Sequence, residues 1–149
     1  MNNIRFAIIG YGNIGKRHAV CIQQHPEARL VAICDPAIST RPDSLASSCR
    51  LYQDIPSMLH QEKPDVVNVC TPNNLHHPHT LLALEAGCHV VCEKPMALSS
   101  RHCEEMIEAA TWHGKTIFVV KQNRYNEAVQ QVKQLLVQHQ LGRVFQIVI

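Results

Sequence analysis

Three glycines spaced as G-x-G-x-x-G follow an apolar run near the start of the chain, and no other feature constrains the fold as much. Residues 4–9 are apolar apart from one arginine, and residues 16–24 suit a helix. This order of strand, glycine turn and helix is typical of a dinucleotide-binding βαβ unit. Its first glycine makes a sharp turn, its second admits the pyrophosphate to the backbone, and its third packs the helix against the strand. We therefore predict dinucleotide contacts from Gly10, Gly12, Asn13, Ile14 and Gly15.

An acidic residue closes the next apolar run. Asp35 follows residues 30–34 and lies twenty positions after Gly15. A carboxylate there accepts hydrogen bonds from the adenosine ribose and repels a 2′-phosphate, which favours NAD over NADP. Arg41 is close enough in sequence to weaken this preference. The alternative is a plain βαβ unit whose glycines serve only the turn.

Composition limits the possible partners. The 149 residues are 46% hydrophobic, which suits one domain with one core. Scattered basic residues, a net charge of +2 and 5% aromatic residues predict no nucleic-acid surface. No apolar run reaches the ~20 residues that span a bilayer, and no signal sequence precedes the first strand, so we expect a cytoplasmic protein with no membrane partner. The seven cysteines include no C-x-x-C pair and are interpreted as reduced, mostly buried side chains.

Strands and helices alternate along the whole chain. We expect strands at residues 4–9, 30–34, 51–52, 66–70, 88–92, 116–121 and 144–149, and helices at 14–24, 56–61, 78–86, 100–113 and 127–140. Residues 37–50 predict a loop and a short helix. The alternation predicts an α/β fold with a Rossmann-type, doubly wound parallel sheet in the order 3-2-1-4-5-6.

The predicted ligand crevice lies where this order reverses, between strands one and four. The polar segment after strand four enters it, and we expect its members to border the nicotinamide: Thr71, Pro72, Asn73 and His76. For Asn73 and His76 the alternative role is loop capping. The histidines at positions 76, 77 and 79 resemble a metal-binding tract, but a proline interrupts them and no carboxylate or cysteine has ligand spacing. We predict no metal site.

Lys94 is the residue to which we assign catalysis. It lies between Glu93 and Pro95 at the end of strand five. Oxidation of an alcohol releases the hydroxyl proton, and a lysine that burial and a cationic nicotinamide make less basic can accept or relay it. A solvated surface charge is the alternative. Glu93 is expected to orient Lys94 or to bind the cofactor, or else to be a surface acid.

Four motifs in sequence resemble the glucose-fructose oxidoreductase / inositol dehydrogenase / rhizopine catabolism family: the glycine turn, T-P-N-x-x-H at residues 71–76, A-L-E-A-G-C-H-V at 83–90 and E-K-P at 93–95. The resemblance covers almost the whole chain. It implies hydride transfer between nicotinamide and a hydroxyl carbon of a sugar, cyclitol or sugar nucleotide, with Lys94 catalytic and a cis bond before Pro95. Residues 121–126 are similar to members acting on sugars, including sugar-nucleotide dehydrogenases of surface-polysaccharide pathways. Arg124 and Tyr125 are the residues we expect to reach a sugar hydroxyl or phosphate. An exposed helix start is the alternative for these two.

In the family a second, substrate-binding domain follows, and we expect this sequence to end where that domain begins. We therefore assign residues 1–122 to the Rossmann domain and 123–149 to a linking helix and the first strand of a truncated second domain. We expect the isolated chain to be inactive and to self-associate through residues 144–149, and the full-length form to be a homo-oligomer. Two other classes stay open: a noncatalytic NAD-binding sensor, which would not need E-K-P, and an enzyme similar to biliverdin reductase.

Overall fold

The computed structural model describes residues 3–38, 45 and 48–146. Within them lie six strands: β1 (Ile4–Ile9), β2 (Ala28–Cys34), β3 (Arg50–Tyr52), β4 (Val66–Val69), β5 (His89–Cys92) and β6 (Ile117–Val119). The α-helices are α1 (Asn13–Gln24), α2 (Ile55–Glu62), α3 (His76–Glu85), α4 (Ser100–Trp112) and α5 (Glu127–Val137). Two 3₁₀ turns occupy Asn73–Leu75 and Gln122–Tyr125.

The strands form one parallel sheet in the order β3-β2-β1-β4-β5-β6, which confirms the predicted fold. The winding reverses between β1 and β4. Ile9 is paired with Cys34 on one side and with Val69 on the other, and Val69 is paired with Cys92. The segments that follow β1, β2, β4 and β5 therefore begin at the same edge of the sheet.

Alternating strand residues supply two hydrophobic cores on opposite faces of the sheet. One core joins strand residues such as Val67 to Met58, Leu84 and Met106 of α2, α3 and α4. The other joins Ile8 and Ile33 to Ala19 and Ile22 of α1. Asn68 is paired with Ile8 across the sheet and so faces α1, although it is polar and only 4% exposed.

Side chains cap helices α2 and α4, whereas the residue before α5 makes no such bond in the described structure. Asp54 accepts a hydrogen bond from the Ser57 amide at 2.8 Å and caps α2, and Ser99 accepts one from the His102 amide at 3.2 Å and caps α4. Asn126 precedes α5, but within the described residues its side chain makes no capping bond.

The C-terminal part differs from the prediction. Residues 144–146 have no regular structure, residues 147–149 lie outside the described range, and α5 ends before the predicted boundary. A strand requires a hydrogen-bonding partner, and the described residues supply none to residues 144–146. The predicted short helix within residues 37–50 falls largely outside the described residues, as does Arg41.

Candidate functional site

The fold itself requires two of the three glycines in the turn after β1. Gly10 has a φ of +89°, and a Cβ there would lie 2.8 Å from the Cys70 carbonyl oxygen. A Cβ on Gly15 would lie 2.1 Å from the Gly10 carbonyl oxygen, far inside any allowed contact. These positions accept only glycine because the turn is folded tightly between β1, the end of β4 and α1.

Gly12 has no such internal reason to be glycine. Its φ of −71° and ψ of −163° are open to any residue, and a Cβ there would meet no described atom within 4 Å. Among the described residues, no side chain caps α1, and its first turn contains no acidic residue. The unpaired N–H groups that begin a helix, beside an open approach to the backbone, suit a phosphate group.

Asp35 holds the glycine turn from the neighbouring strand. Its Oδ2 accepts a hydrogen bond from the Tyr11 amide at 2.7 Å, and its Oδ1 accepts one from the Ala37 amide at 2.9 Å. The sequence did not reveal this structural role, because the contact joins two loops. A carboxylate has about four lone-pair sites, so Asp35 still has capacity to accept hydroxyl donors.

Two cavities flank the turn. One, of about 560 Å³, is lined on one side by Gly10, Asp35 and residues 53–56, and on the other by Thr71 and Pro72. The second, of about 440 Å³, is lined by helix α1, residues 70–76 and the residues that follow β5, including Lys94. Thr71 lines both cavities. The two cavities therefore lie next to each other at the reversal of the sheet, where the sequence predicts the ligand crevice, and we call them together the crevice.

Glu93 and His18 meet in the second cavity. The Nε2 of His18 lies 3.0 Å from Glu93 Oε1, while Glu93 Oε2 accepts a hydrogen bond from the Lys94 backbone amide at 3.1 Å. On the other side of the ring, Asn68 Nδ2 lies 2.7 Å from His18 Nδ1. Neither His18 nor Asn68 was predicted from the sequence to be a site residue. The available signals were a polar residue inside a buried strand and a histidine one helical turn beyond Gly15.

His76 is an internal brace. It is 1% exposed, its Nδ1 lies 2.7 Å from the Pro95 carbonyl oxygen, and its Nε2 lies 2.9 Å from the Thr71 carbonyl oxygen. The structure thus gives it the loop-capping contacts that the sequence left as an alternative. The residue still lines the second cavity.

The remaining predicted residues differ in their placement. The Lys94–Pro95 bond is cis, as the resemblance implied. Lys94 lines the second cavity but is exposed, so the described residues do not supply the burial expected around it. Arg124 and Tyr125 lie in an exposed 3₁₀ turn and are not among the residues lining the two cavities, although the adjacent Gln122 is.

Cys70 and His79 are among the other ionisable side chains that line these cavities. Burial raises the pKa of the Cys70 thiol to about 12, and the nearby Glu93 carboxylate adds to the increase. This thiol is therefore protonated at neutral pH and is a poor nucleophile. His79 lies 3.2 Å from the Thr71 hydroxyl, and burial, followed by the charge of His76, lowers its pKa.

The three histidines of the apparent metal tract have different neighbours. Of the three, only His77 joins a cluster of possible ligands, with His102 and Glu105, whose ligand atoms lie within 4.8 Å of one another. The His77 and His102 rings are stacked at 4.1 Å, and the Glu105 oxygens contact His77 at 2.8 Å and Arg101 at 2.9 Å. Glu105 is thus already paired with Arg101 and His77, and the absence of a metal site stays a prediction.

Another cavity, of about 720 Å³, is larger than the two in the crevice. It is lined by residues of α2 and α3 and by Asp65 and His89, near the amino ends of β4 and β5. It includes none of the predicted site residues. In the described part of the chain, no helix has the length and apolarity needed to cross a membrane.

Comparison with known proteins identifies the family. The model of an oxidoreductase family with an NAD-binding Rossmann fold, abbreviated GFO_IDH_MocA, matches residues 4–121. The chain belongs to this family. It is 38% identical over 146 residues to D-glucoside 3-dehydrogenase of Escherichia coli, and 31% identical over 145 residues to 2,7-anhydro-N-acetylneuraminate hydratase of Mediterraneibacter gnavus.

A solved family structure agrees with the fold. The WlbA dehydrogenase from Bordetella pertussis, in complex with NADH and UDP-GlcNAcA, superposes with a TM-score of 0.87 at 37% identity. The match covers 97% of this chain but 45% of that one. The two curated relatives are matched over 95% and 97% of this chain and over 41% and 38% of their own lengths. The chain therefore spans about two fifths of the length of the curated relatives it matches.

Proposed function

We propose that this chain binds NAD and forms the cofactor-binding part of a dehydrogenase acting on a hydroxyl carbon of a sugar-class substrate. Gly12 is the observation that carries the proposal. The backbone there accepts any residue and a side chain would point into open space. A glycine that the fold does not need is explained by a group that approaches its backbone from outside, and the open α1 N-terminus suits the pyrophosphate.

The other predicted residues extend along the crevice from this point. Asp35 would accept the adenosine ribose hydroxyls with its remaining lone pairs. The nicotinamide half would lie in the cavity that Lys94 lines together with Thr71, Asn73, His76 and Glu93. Pro72, which lines the neighbouring cavity, and Pro95, which follows Lys94, would contact the cofactor beside it. When bound, NAD supplies the hydride acceptor or donor. As a free amine, Lys94 would take the hydroxyl proton during oxidation, and as an ammonium it would return the proton during reduction, since its exposed side chain lines that cavity.

Substrate recognition is assigned to the segment after the Rossmann domain. We assign residues 1–122 to that domain and 123–149 to the link with a second one, with Arg124 and Tyr125 available to the substrate. Helix α5 supports this division, since it is amphipathic but has no buried residue in the described structure. A sugar-class substrate is supported by the two sugar-derivative names among the relatives. A cytoplasmic location and a homo-oligomeric full-length form are part of the same proposal.

Two measurements test the function. Calorimetry on this chain should show NAD binding that is tighter than NADP binding. In the full-length gene product, Lys94→Met should lower kcat roughly 10²-fold while leaving NAD affinity nearly unchanged. Lys115→Met, at the opposite edge of the sheet, is the matched control.

The results separate the alternatives. Unchanged turnover in Lys94→Met would remove the catalytic role of Lys94. A noncatalytic sensor would bind NAD and show no turnover in any variant. One relative is named a hydratase, so absorbance at the NADH band should be followed together with substrate consumption. Substrate conversion without net change in NADH would replace the dehydrogenase assignment with a redox-neutral one.

A further inference from the structure

We propose that His18 is a positioning residue for Lys94, acting through the Glu93 carboxylate. The inference rests on the proposed dehydrogenase function. His18 lies on α1, the helix that starts in the glycine turn, whereas Glu93 and Lys94 follow β5. Their contact joins the two segments that the proposed function assigns to the pyrophosphate and to the reacting centre.

The two oxygens of Glu93 have different tasks. Oε1 lies 3.0 Å from His18 Nε2, and Oε2 accepts the Lys94 backbone N–H at 3.1 Å. The side chains of His18 and Glu93 are 16% and 13% exposed, respectively. A carboxylate so far removed from water needs its donors, because a lost partner leaves an unpaired charge. Without His18, Glu93 is expected to rotate toward solvent and release the backbone at Lys94.

Asn68 orients the histidine ring. Its amide Nδ2 lies 2.7 Å from His18 Nδ1, and an amide NH₂ only donates. His18 Nδ1 therefore accepts, and the proton of the neutral ring is on Nε2, facing Glu93. Asn68 is a polar residue within the otherwise apolar β4, held at 4% exposure. Asn68 thus donates to His18, and His18 donates to Glu93.

The turn at residues 93–95 is thus held at both ends by histidines. His18 fixes Glu93, and His76 Nδ1 lies 2.7 Å from the Pro95 carbonyl oxygen. Lys94 lies between these two anchors with an exposed side chain. The backbone at Lys94 is held by these contacts, while its side chain is exposed. These contacts fix the backbone position from which the Lys94 side chain extends toward the substrate. A displacement of a proton-transfer group by about 1 Å can lower the rate 10²-fold.

Turnover in the full-length gene product provides the main test. His18→Leu should lower kcat roughly 10- to 100-fold, with NAD affinity changed less than about threefold. His18→Gln should recover most of the loss, because its amide can donate to Glu93 and accept from Asn68. His60→Leu, an exposed position on α2, is the matched control and should retain full kcat. Full kcat in His18→Leu, or equal losses in the leucine and glutamine variants, would overturn the proposal.

Nitrogen-15 NMR of histidine side chains in the unmodified chain gives a second test that needs neither substrate nor variant. The expected signature of the neutral His18 ring is the Nε2–H tautomer with an Nε2 proton protected from exchange. The Nδ1–H tautomer, or a freely exchanging ring, would contradict the arrangement even if His18→Leu failed to fold. The Lys94→Met result separates the two proposals: if it abolishes turnover while His18→Leu does not change it, only the positioning role is wrong.

Discussion

The glycines of the turn give a prediction in which stability and cofactor binding separate. Gly12→Ala adds a Cβ in open space at an allowed φ and ψ. Alanine is a poorer N-cap than glycine, which lowers the stability of the folded state by about 0.5–1 kcal/mol. The substitution also reduces the conformational entropy of the unfolded chain, which raises stability by about 0.4–1 kcal/mol. The free energy of unfolding should therefore change by less than about 1 kcal/mol. NAD affinity should fall at least tenfold, or about 1.4 kcal/mol, because the methyl group occupies the approach to the backbone.

Gly15→Ala should behave differently. Its Cβ would lie 2.1 Å from the Gly10 carbonyl oxygen, and a backbone oxygen cannot swing aside as a side chain can. Either α1 moves away from β1 or the turn opens, at a cost of about 3 kcal/mol by comparison with overpacked cores. NAD binding should be lost as well, since the turn no longer has its native shape.

Gly87→Ala completes the set. Gly87 has a φ of +81° at the end of α3, with no described atom within 4 Å of an added Cβ, and it does not line the crevice cavities. A left-handed alanine costs about 1–2 kcal/mol, so stability should fall while NAD affinity stays unchanged. Urea unfolding and titration calorimetry on the three variants measure both quantities. An unchanged NAD affinity in Gly12→Ala, or a stability loss there equal to that in Gly15→Ala, would refute the assignment of Gly12 to the cofactor.

Three other predictions use the same chain. Asp35→Asn keeps an acceptor for the glycine turn but removes the charge, so calorimetry should show a smaller preference for NAD over NADP; an unchanged ratio would contradict charge selection. Iodoacetamide at pH 7.5, followed by mass spectrometry, should label the exposed Cys21 and spare the cysteines whose pKa burial raises to about 11 or 12, namely Cys34, Cys70, Cys88 and Cys92. Burial lowers the pKa of His79 below its ordinary 6.5, so the contribution of His79 to stability is present above that pH and is lost as pH falls through the lower pKa of the folded state. The His79→Gln variant should therefore show a smaller decline in unfolding free energy between pH 7 and 5. An unaltered slope would exclude His79 as the source of that decline.

The order of the sheet and the location of the crevice could be predicted because they depend on local patterns. Apolar runs that end in Gly10, Asp35 and Glu93 mark the carboxyl ends of buried strands, and alternation with helices leaves few ways to connect them. The same reasoning failed at residues 144–146. An apolar alternation indicates that a segment can form a strand, but only a neighbouring strand makes it one.

The sequence alone determined the parallel α/β fold, the family resemblance and several of the polar residues that line the two cavities, among them Asp35, Thr71 and Glu93, since each is encoded in short spacings along the chain. Only the tertiary structure decided which side chains touch. It showed that Asp35 holds the glycine turn, that His76 braces two loops, and that His18 connects Asn68 to Glu93 across 50 and 75 positions of sequence. It also separated Gly12 from Gly10 and Gly15, because the space around a missing side chain depends on parts of the chain that lie far apart in sequence.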